Sequence, residues 1–260
     1  MEPFQYRPAR DFICVQGDDA ETYLHSQLSN QVQGMPVRSS KWSLLLQPTG
    51  KVDAVVRITR FEDTVFVLDA DPGVGEAVVA RLNRFKIRVK ATIDTLEWQC
   101  VAVRGVGARA LASAVNRPPS EGLVVTAGLA GETTWSDDDA VDLIGAHVAE
   151  VADVRVGSAA EFNAARVACG WPAMNIDFAA GCIPAETGLV RQTVSFTKGC
   201  YPGQELVERM DSRSTSAPFT VRHVDDAGFA VGDVYVDPEG ATGEVTSVGG
   251  GKALVRVKRG

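Results

Sequence analysis

The sequence has 260 residues, of which 45% are hydrophobic, and it carries a formal net charge of −7 at pH 7. This length and composition predict a folded protein with a sizeable core, built as one large domain or as a few small lobes. The negative charge excludes a general attraction to nucleic acid or anionic lipid, so we expect no DNA partner, and any RNA contact would need a local basic patch.

No segment has the composition of a targeting signal or a membrane span. Residues 1–17 carry charged side chains and no apolar core, which argues against a secretory signal. Uncharged runs such as residues 122–131 are far shorter than the roughly 20 residues of a spanning helix. We therefore expect a cytoplasmic protein without a membrane partner.

The cysteines and histidines argue against a disulfide framework and against a metal site. The cysteines form no C-x-x-C pair, and the three histidines are isolated from one another. An odd number of unpaired cysteines is typical of a reducing compartment. The five positions are Cys14, Cys100, Cys169, Cys182 and Cys200.

The first predicted unit is a strand at residues 12–15 followed by a helix. Asp18 is placed to cap this helix, and Glu21 stands three residues later, as in a capping box.

Further on, residues 42–46 and 52–58 alternate between apolar and polar side chains, and the turn-forming residues 47–50 separate them. This pattern predicts a β-hairpin.

The remaining elements favour an α+β fold with antiparallel sheets, because hairpin signals outnumber crossover signals. Helical spacing predicts a helix at residues 74–85 and another at 159–169, the second ended by Gly170. From residue 217 onward the chain is β in character. We expect residues 214–260 to form a small β-barrel or sheet lobe.

The octapeptide KGCYPGQE at residues 198–205 concentrates chemically informative side chains. Its glycines permit tight turns, and Pro202 suits the first position of a helix. Cys200 would then precede a helix N-terminus with Lys198 nearby, and both features favour a thiolate. A second interpretation stays open, in which Cys200 is a small buried residue in a structural corner.

This octapeptide resembles the K-G-C-Y-x-G-Q-E signature of the YgfZ-type folate-binding proteins, relatives of the glycine-cleavage aminomethyltransferase. Phe196 precedes it, as in that family. Segments 17–30, 166–172 and 184–189 are similar to family motifs in the same order, so the resemblance covers about residues 12 to 213.

The resemblance implies an α+β, three-lobed aminomethyltransferase-like ring with antiparallel sheets and a small C-terminal β-barrel. Residues 1–46 plus 97–213 would form the folate-binding lobe, residues 47–96 a ββαβ lobe, and residues 214–260 the short barrel. A central channel would receive tetrahydrofolate or a one-carbon derivative, with the pterin deep inside and the glutamyl tail nearer solvent.

The resemblance also implies the site residues. Cys200 would be the reactive group, assisted by Lys198. A carboxylate such as that of Glu186 could accept two hydrogen bonds from the guanidine-like edge of pterin. The positions expected to bind the folate are Asn30, Arg166, Asn175, Asp177 and Glu186.

One departure separates this chain from the aminomethyltransferases, which carry an acidic pair where this sequence has Ala54 and Val55. Asp53 is one position early, so its side chain should point to the opposite sheet face unless a bulge resets the register. We therefore expect the general acid/base of the transferase to be missing.

Three functions follow from the resemblance. The first is a tetrahydrofolate-binding accessory protein for iron-sulfur cluster assembly or repair, with iron-sulfur client enzymes or assembly factors as partners. The second is a folate-dependent aminomethyltransferase or another one-carbon transferase. The third is a tRNA-modification partner, against which the net acidity and the expected absence of a basic-aromatic run argue.

Overall fold

The computed structural model describes residues 1–113, 123–126, 139–212 and 217–258. Its strands are β1 (Phe4–Tyr6), β2 (Asp11–Gln16), β3 (Ser40–Leu46), β4 (Val52–Glu62), β5 (Val65–Ala70), β6 (Thr92–Leu96), β7 (Gln99–Arg104), β8 (Leu123–Thr126), β9 (Ala140–Gly145), β10 (Arg155–Val156), β11 (Phe219–Asp225), β12 (Val234–Val236), β13 (Thr242–Gly249) and β14 (Lys252–Lys258). Its helices are α1 (Ala20–Gln27), α2 (Gly75–Phe85), α3 (Ala108–Ser113), α4 (Ala159–Ala168), α5 (Val190–Thr193) and α6 (Gln204–Ser212), and a short 3-10 helix spans Pro184–Thr187. The fold is α+β, as predicted.

The N-terminal sheet has five antiparallel strands in the order β3-β4-β5-β2-β6. Its β3–β4 hairpin confirms the predicted one, with Gln47 N–H donating to the carbonyl of Lys51 at 2.8 Å across the turn. Gly50 adopts a φ of +85° in that turn, which a glycine reaches without a steric penalty. Helices α1 and α2 pack against the sheet and bury Leu24 and Leu82 in its core.

The middle sheet has the strand order β10-β1-β7-β9-β8. Only the β1–β10 pair is parallel within the strands that the structure describes. Helix α3 packs on it through Ala108 and Ala112. Its Cys100 and Ile144 meet Phe12 of the N-terminal sheet in a shared apolar cluster, so the two sheets are packed against each other.

The C-terminal sheet has four antiparallel strands in the order β11-β14-β13-β12. Strands β11 and β12 are its two edges, so in the described part of the chain the sheet is open. Of the two predicted forms, a small barrel or a sheet lobe, the structure shows the sheet lobe. Strand β12 has only three residues, and helix α4 covers β13 and β14. A Cβ atom on Gly249 would lie 2.5 Å from the Cα of Ala164, which shows how closely helix and sheet approach.

The sheets divide the chain differently from the predicted lobes. Residues 47–96 do not form a sheet of their own, because β4, β5 and β6 pair with β2 and β3 from the preceding segment. The hairpin turn joins β3 directly to β4, which places both strands in one sheet. The predicted boundary between residues 213 and 214 lies outside the described residues.

The capping box predicted for α1 is also wrong. Asp19, not Asp18, is the N-cap residue, and its side chain makes no capping bond. Its carboxylate instead accepts from the N–H of Lys90 at 2.8 Å, and the Glu21 carboxylate accepts from Gly34 N–H at 2.6 Å. Both acids therefore fasten distant loops, a use that local spacing does not reveal.

A chain of buried ion pairs joins the N-terminal and middle sheets. Arg57 of β4 bonds Asp69 of β5 through Nε at 2.9 Å and Asp142 of β9 through Nη1 at 2.6 Å. Asp142 also accepts from Arg104 at 2.8 Å, and Asp69 from Arg10 at 2.6 Å. Burial alone would raise the pKa of Asp142, but Arg104 and Arg57 hold it well below its usual range.

Candidate functional site

A cavity of about 70 Å³ lies where the N-terminal sheet, the middle sheet and α4 meet. Aromatic rings, guanidinium groups and carboxylates share its wall, which makes it suited to a flat polar ligand. We call it the inter-sheet cavity. Its main lining residues are Arg10, Trp42, Asp71, Arg104, Asp142, Phe162, Arg166 and Trp171.

Two lining residues have hydrogen-bonding capacity to spare. Arg10 uses Nε on Asp69 and Nη1 on Asp71, the latter at 3.3 Å, while its buried Nη2 has no partner among the described residues. The Asp71 carboxylate also accepts from the N–H of Met174 at 2.9 Å, and its side chain is 31% exposed. An unpaired buried donor is costly, so a ligand acceptor at Arg10 would relieve it.

The aromatic part of the wall centres on Trp42 and Trp171, whose ring centroids are 4.6 Å apart at an interplanar angle of 48°. The guanidinium carbons of Arg10 and Arg57 lie 5.5 and 5.4 Å from the Trp42 centroid. These contacts fix the Trp42 ring. Trp171 follows the end of α4 and is half-buried.

A second, more open space adjoins the cavity, and Cys169 lines both. This groove has a volume of about 700 Å³ and runs between the C-terminal sheet and the segment around the 3-10 helix. Arg222, His223 and Gln192 line it, and the buried Oε1 of Gln192 has no hydrogen-bond donor among the described residues. The buried Cys169 forms part of both walls, so cavity and groove are neighbours.

Arg166 and Asp177, both predicted to bind the ligand, are bonded to each other at 2.6 Å. The Asp177 carboxylate is fully buried and also accepts from Ala173 N–H and from the hydroxyls of Thr246 and Ser247. It therefore ties α4 to the C-terminal sheet. A ligand could reach it only by displacing one of these bonds, whereas Arg166 borders the inter-sheet cavity.

The other three predicted positions are not gathered around Arg166. The amide of Asn30 donates to the carbonyls of Trp42 and Gln192, so it braces the chain internally. Asn175 is exposed and adopts a φ of +64° in a tight turn. The carboxylate of Glu186 is mostly buried, at 12% exposure, and its nearest cation is the guanidinium of Arg256 at 3.9 Å.

Lys198, the first residue of the motif, caps the end of α1. Its ammonium group donates to the carbonyl of Leu28 at 2.6 Å and to that of His25, and it lies 4.9 Å from the Tyr201 ring centroid. Burial lowers the pKa of Lys198 to about 8. Two of its three donors are thus used to hold the motif against the helix.

Cys200 is the exposed member of the five cysteines, all of which the structure describes. Burial raises the pKa of Cys14 and Cys100, and it raises that of Cys169 to about 11 and that of Cys182 to about 12. Helix α6 begins at Gln204 rather than at Pro202, so Cys200 lies in the loop before it. The accessible thiol of this protein is therefore the motif cysteine.

Gly203 explains much of the rest of the motif. A Cβ atom there would lie 2.6 Å from the carbonyl oxygen of Gln47 and 2.7 Å from the Cα of Gly50. Its φ of +81° also favours glycine. The motif loop is thereby packed backbone to backbone against the β3–β4 turn.

A β-bulge does occur at Asp53, between the pairs Leu46–Val52 and Leu45–Ala54. The Asp53 carboxylate accepts from Gln47 Nε2 at 2.8 Å and lies 3.4 Å from Nε of Arg81 on α2. It is thus committed to the hairpin turn and to α2. Ala54 and Val55, at the positions of the transferase acids, are buried in the apolar core.

Sequence reasoning missed Arg10, Asp71 and Trp171 as cavity residues. Asp71 directly follows β5 and Trp171 lies three residues after α4, and connecting segments of this kind do not by themselves predict a ligand contact. An acid directly after a buried strand was the available signal for Asp71. Nothing local marks Arg10.

In the described ranges, no helix is both long and apolar enough to cross a membrane. The same residues contain no group of three or more His, Cys, Asp or Glu side chains placed to hold a metal ion.

Comparison with known proteins finds relatives in sequence, although no protein-family model matches. An uncharacterised protein from Haemophilus influenzae is 26% identical over 210 residues, which cover 78% of this chain and 67% of the relative. The tRNA-modifying protein YgfZ of Photobacterium profundum is 24% identical over 209 residues, which cover 77% and 63% respectively. The match thus spans about two thirds of the length of these relatives.

Among solved structures, glycine cleavage system aminomethyltransferase T from Bartonella henselae superimposes with a TM-score of 0.77. The superposition covers 99% of this chain and 78% of that one at 18% identity. This likeness confirms the predicted aminomethyltransferase-like fold.

Proposed function

The chain belongs to the YgfZ-type proteins, relatives of the glycine-cleavage aminomethyltransferase, and from that membership we propose that it binds tetrahydrofolate or a one-carbon derivative. The inter-sheet cavity is the observation that carries the proposal. It combines the Trp42 and Trp171 rings with the partly exposed Asp71 carboxylate and an unpaired donor on Arg10. The two Asp71 oxygens already accept from Arg10 and from Met174 N–H, and each can accept one more hydrogen bond. A pterin is flat, has a guanidine-like edge and carries a carbonyl acceptor, so each of these groups has a counterpart.

Asp71 takes the role that the sequence suggested for Glu186. It faces the cavity, whereas Glu186 lies beside Arg256 of the C-terminal sheet. Arg166 stays in the proposed site, since it borders the same cavity. A pterin needs more room than about 70 Å³, so the cavity must widen when the ligand enters, and we propose that the half-buried Trp171 ring is the part that moves.

The adjoining groove would receive the rest of the folate. Its volume of about 700 Å³ is within the range of small-molecule sites. Arg222 lines it with a side chain that is 43% exposed, although Asp237 already pairs with it at 2.7 Å. The glutamyl carboxylates would lie on this solvent-facing side, and the pterin would lie deep between the sheets.

Accessory work on iron-sulfur enzymes is the function we assign to the folate-bound protein, with Cys200 as its reactive group. Support comes from the resemblance of residues 198–205 to the family signature and from the exposure of this one thiol. The packed residues Lys198 and Gly203 hold the loop rigidly around it. A partner can therefore reach Cys200 without rearranging the fold.

The transferase alternative is weaker because, among the described residues, no carboxylate stands at the positions of the acidic pair. Ala54 and Val55 are buried, and Asp53 is bonded to Gln47 and Arg81. A base for one-carbon transfer must reach the reacting nitrogen by a hydrogen bond. The third candidate, a role in tRNA modification, takes support from the Photobacterium profundum relative, which is named as a tRNA-modifying protein.

Titration with tetrahydrofolate tests the folate proposal. The ligand should raise the melting temperature, with a stabilisation of about 2.7 kcal/mol at a hundredfold excess over its dissociation constant. Asp71→Asn should weaken binding by roughly tenfold or more, since a hydrogen bond to a charged group is lost. Asp53→Asn is the matched control, because Asp53 is similarly half-buried but bonded elsewhere.

Two outcomes would contradict the site. An unchanged melting temperature at millimolar tetrahydrofolate would count against folate binding altogether. Loss of affinity in Glu186→Gln with full affinity in Asp71→Asn would move the pterin to the C-terminal sheet.

A further inference from the structure

A concentrated cationic segment stands out in this acidic chain. Residues 77–93 contain no Asp or Glu, yet they include Arg81, Arg84, Lys86, Arg88 and Lys90. Residues 84–90 read RFKIRVK, which is a basic run with an aromatic residue inside it. The sequence-based expectation that the chain has no basic-aromatic run is therefore wrong. We call residues 84–90 the basic loop.

The basic loop comprises the end of α2 and the connection toward β6. Arg84, Arg88 and Lys90 are exposed. Within the described residues their side chains form no ion pair or hydrogen bond, and Arg84 only stacks 5.8 Å from the Phe85 ring centroid. Three cations are thus presented to solvent without an acidic partner.

Both ends of the basic loop are fastened. At the helix end, Lys86 donates through Nζ to the carbonyl of Ala91 at 2.8 Å. At the far end, the Asp19 carboxylate accepts from Lys90 N–H at 2.8 Å, and a Cβ atom on Gly17 would lie 2.3 Å from the Lys90 carbonyl oxygen. A loop whose backbone is already ordered loses less entropy when it binds a partner.

We propose that the basic loop is a contact surface for the phosphate backbone of RNA. Unpaired arginine and lysine side chains on a fixed backbone are the groups that neutralise phosphates and release counterions. The net charge of −7 opposes a general attraction to nucleic acid, so binding would depend on a local concentration of cations such as this loop. The basic loop is separate from the inter-sheet cavity, so the RNA proposal does not depend on folate binding.

An anionic membrane is the competing partner, and the structure favours it less. Ile87, 78% exposed, is the only large apolar side chain that the basic loop exposes. The apolar face of α2, with Val78 and Leu82, is buried in the core. Stable membrane anchoring takes more apolar area than one isoleucine supplies.

The test measures binding of a fluorescently labelled, in vitro transcribed tRNA by anisotropy between about 50 and 200 mM salt. The variant Arg84→Gln/Arg88→Gln/Lys90→Gln removes the exposed cations of the basic loop. The control Lys41→Gln/Lys51→Gln/Lys258→Gln makes the same charge change at other exposed lysines. We expect the loop variant to lose tenfold or more in affinity at about 50 mM salt, and its salt slope to become shallower by about 2. The control should stay within about twofold.

Equal losses in both variants would overturn the proposal, because net charge alone would then explain binding. So would the absence of salt-sensitive tRNA binding by the unmodified protein. Phosphatidylserine vesicles are tested in parallel, and binding to them that depends on the loop cations, without tRNA binding, would assign the loop to a membrane. If the triple variant does not fold, Arg88→Gln and Lys90→Gln are measured singly, and each should still weaken tRNA binding.

Discussion

The inter-sheet cavity and the motif loop at residues 198–205 use their residues in opposite ways. The cavity collects side chains from distant parts of the chain, from Arg10 to Trp171, and holds them with buried ion pairs. The motif loop is contiguous, and most of it is architecture: Lys198 caps α1 and Gly203 packs on Gly50. Cys200 is exposed and makes no such packing contact.

This difference teaches that a dense sequence motif need not be a dense site. Lys198 and Gly203 of the motif hold the loop in place, and the loop presents the Cys200 thiol at the surface. The ligand-binding capacity lies instead in scattered residues that no short pattern joins. The following predictions separate the two regions, beginning with the largest expected effect.

Arg57→Met should destabilise the protein by about 3–5 kcal/mol, because it leaves the buried carboxylates of Asp69 and Asp142 without their shared cation. Urea unfolding measures the change. The control Lys252→Met breaks an exposed pair with Asp225 and should leave the free energy of unfolding almost unchanged, because exposed ion pairs contribute little to stability. Equal effects in the two variants would show that the cavity wall does not depend on buried charge.

Cys200 should react with a thiol reagent near pH 7 at least about a hundredfold faster than Cys100 or Cys169. Burial blocks access to the other two thiols, and their raised pKa values lower the fraction present as thiolate. Mass spectrometry of the labelled native protein identifies the site. Cys200→Ser should remove the fast phase, whereas Cys182→Ser should keep it.

The same Cys200→Ser variant should impair iron-sulfur enzyme activity in a complementation assay and keep tetrahydrofolate affinity within a few-fold. Asp71→Asn should weaken tetrahydrofolate binding and leave the labelling rate of Cys200 unchanged. Labelling of Cys200 no faster than that of Cys100, or full complementation by the serine variant, would reduce the motif to a structural corner.

Gly203→Ala should destabilise the protein by about 1–3 kcal/mol, since the added Cβ meets backbone atoms and the φ is positive. Gly199→Ala is the matched control four residues earlier, where a Cβ meets nothing within 4 Å. Its effect should stay within about 1 kcal/mol. Comparable effects at the two glycines would mean that the close approach to Gly50 is not what the motif preserves.

Much of the local structure could be predicted from the sequence. The β3–β4 hairpin, helices α2 and α4, and the β character of the C-terminal segment all follow from periodicity and turn residues. The cap of α1 was predicted wrongly, because Asp19 and Glu21 bind Lys90 and Gly34 rather than their own helix. A capping pattern is only one of several uses of the same side chains.

The sequence by itself determined the α+β class, most element positions and the family resemblance carried by residues 198–205. Only the tertiary structure decided that the C-terminal sheet stays open, that Arg57 is buried, and that Arg10, Asp71 and Trp171 share a cavity wall. The physical reason is that periodicity records how a residue relates to its neighbours in the chain. The burial of a charge is settled by partners from other strands, such as Asp142, 85 residues beyond Arg57.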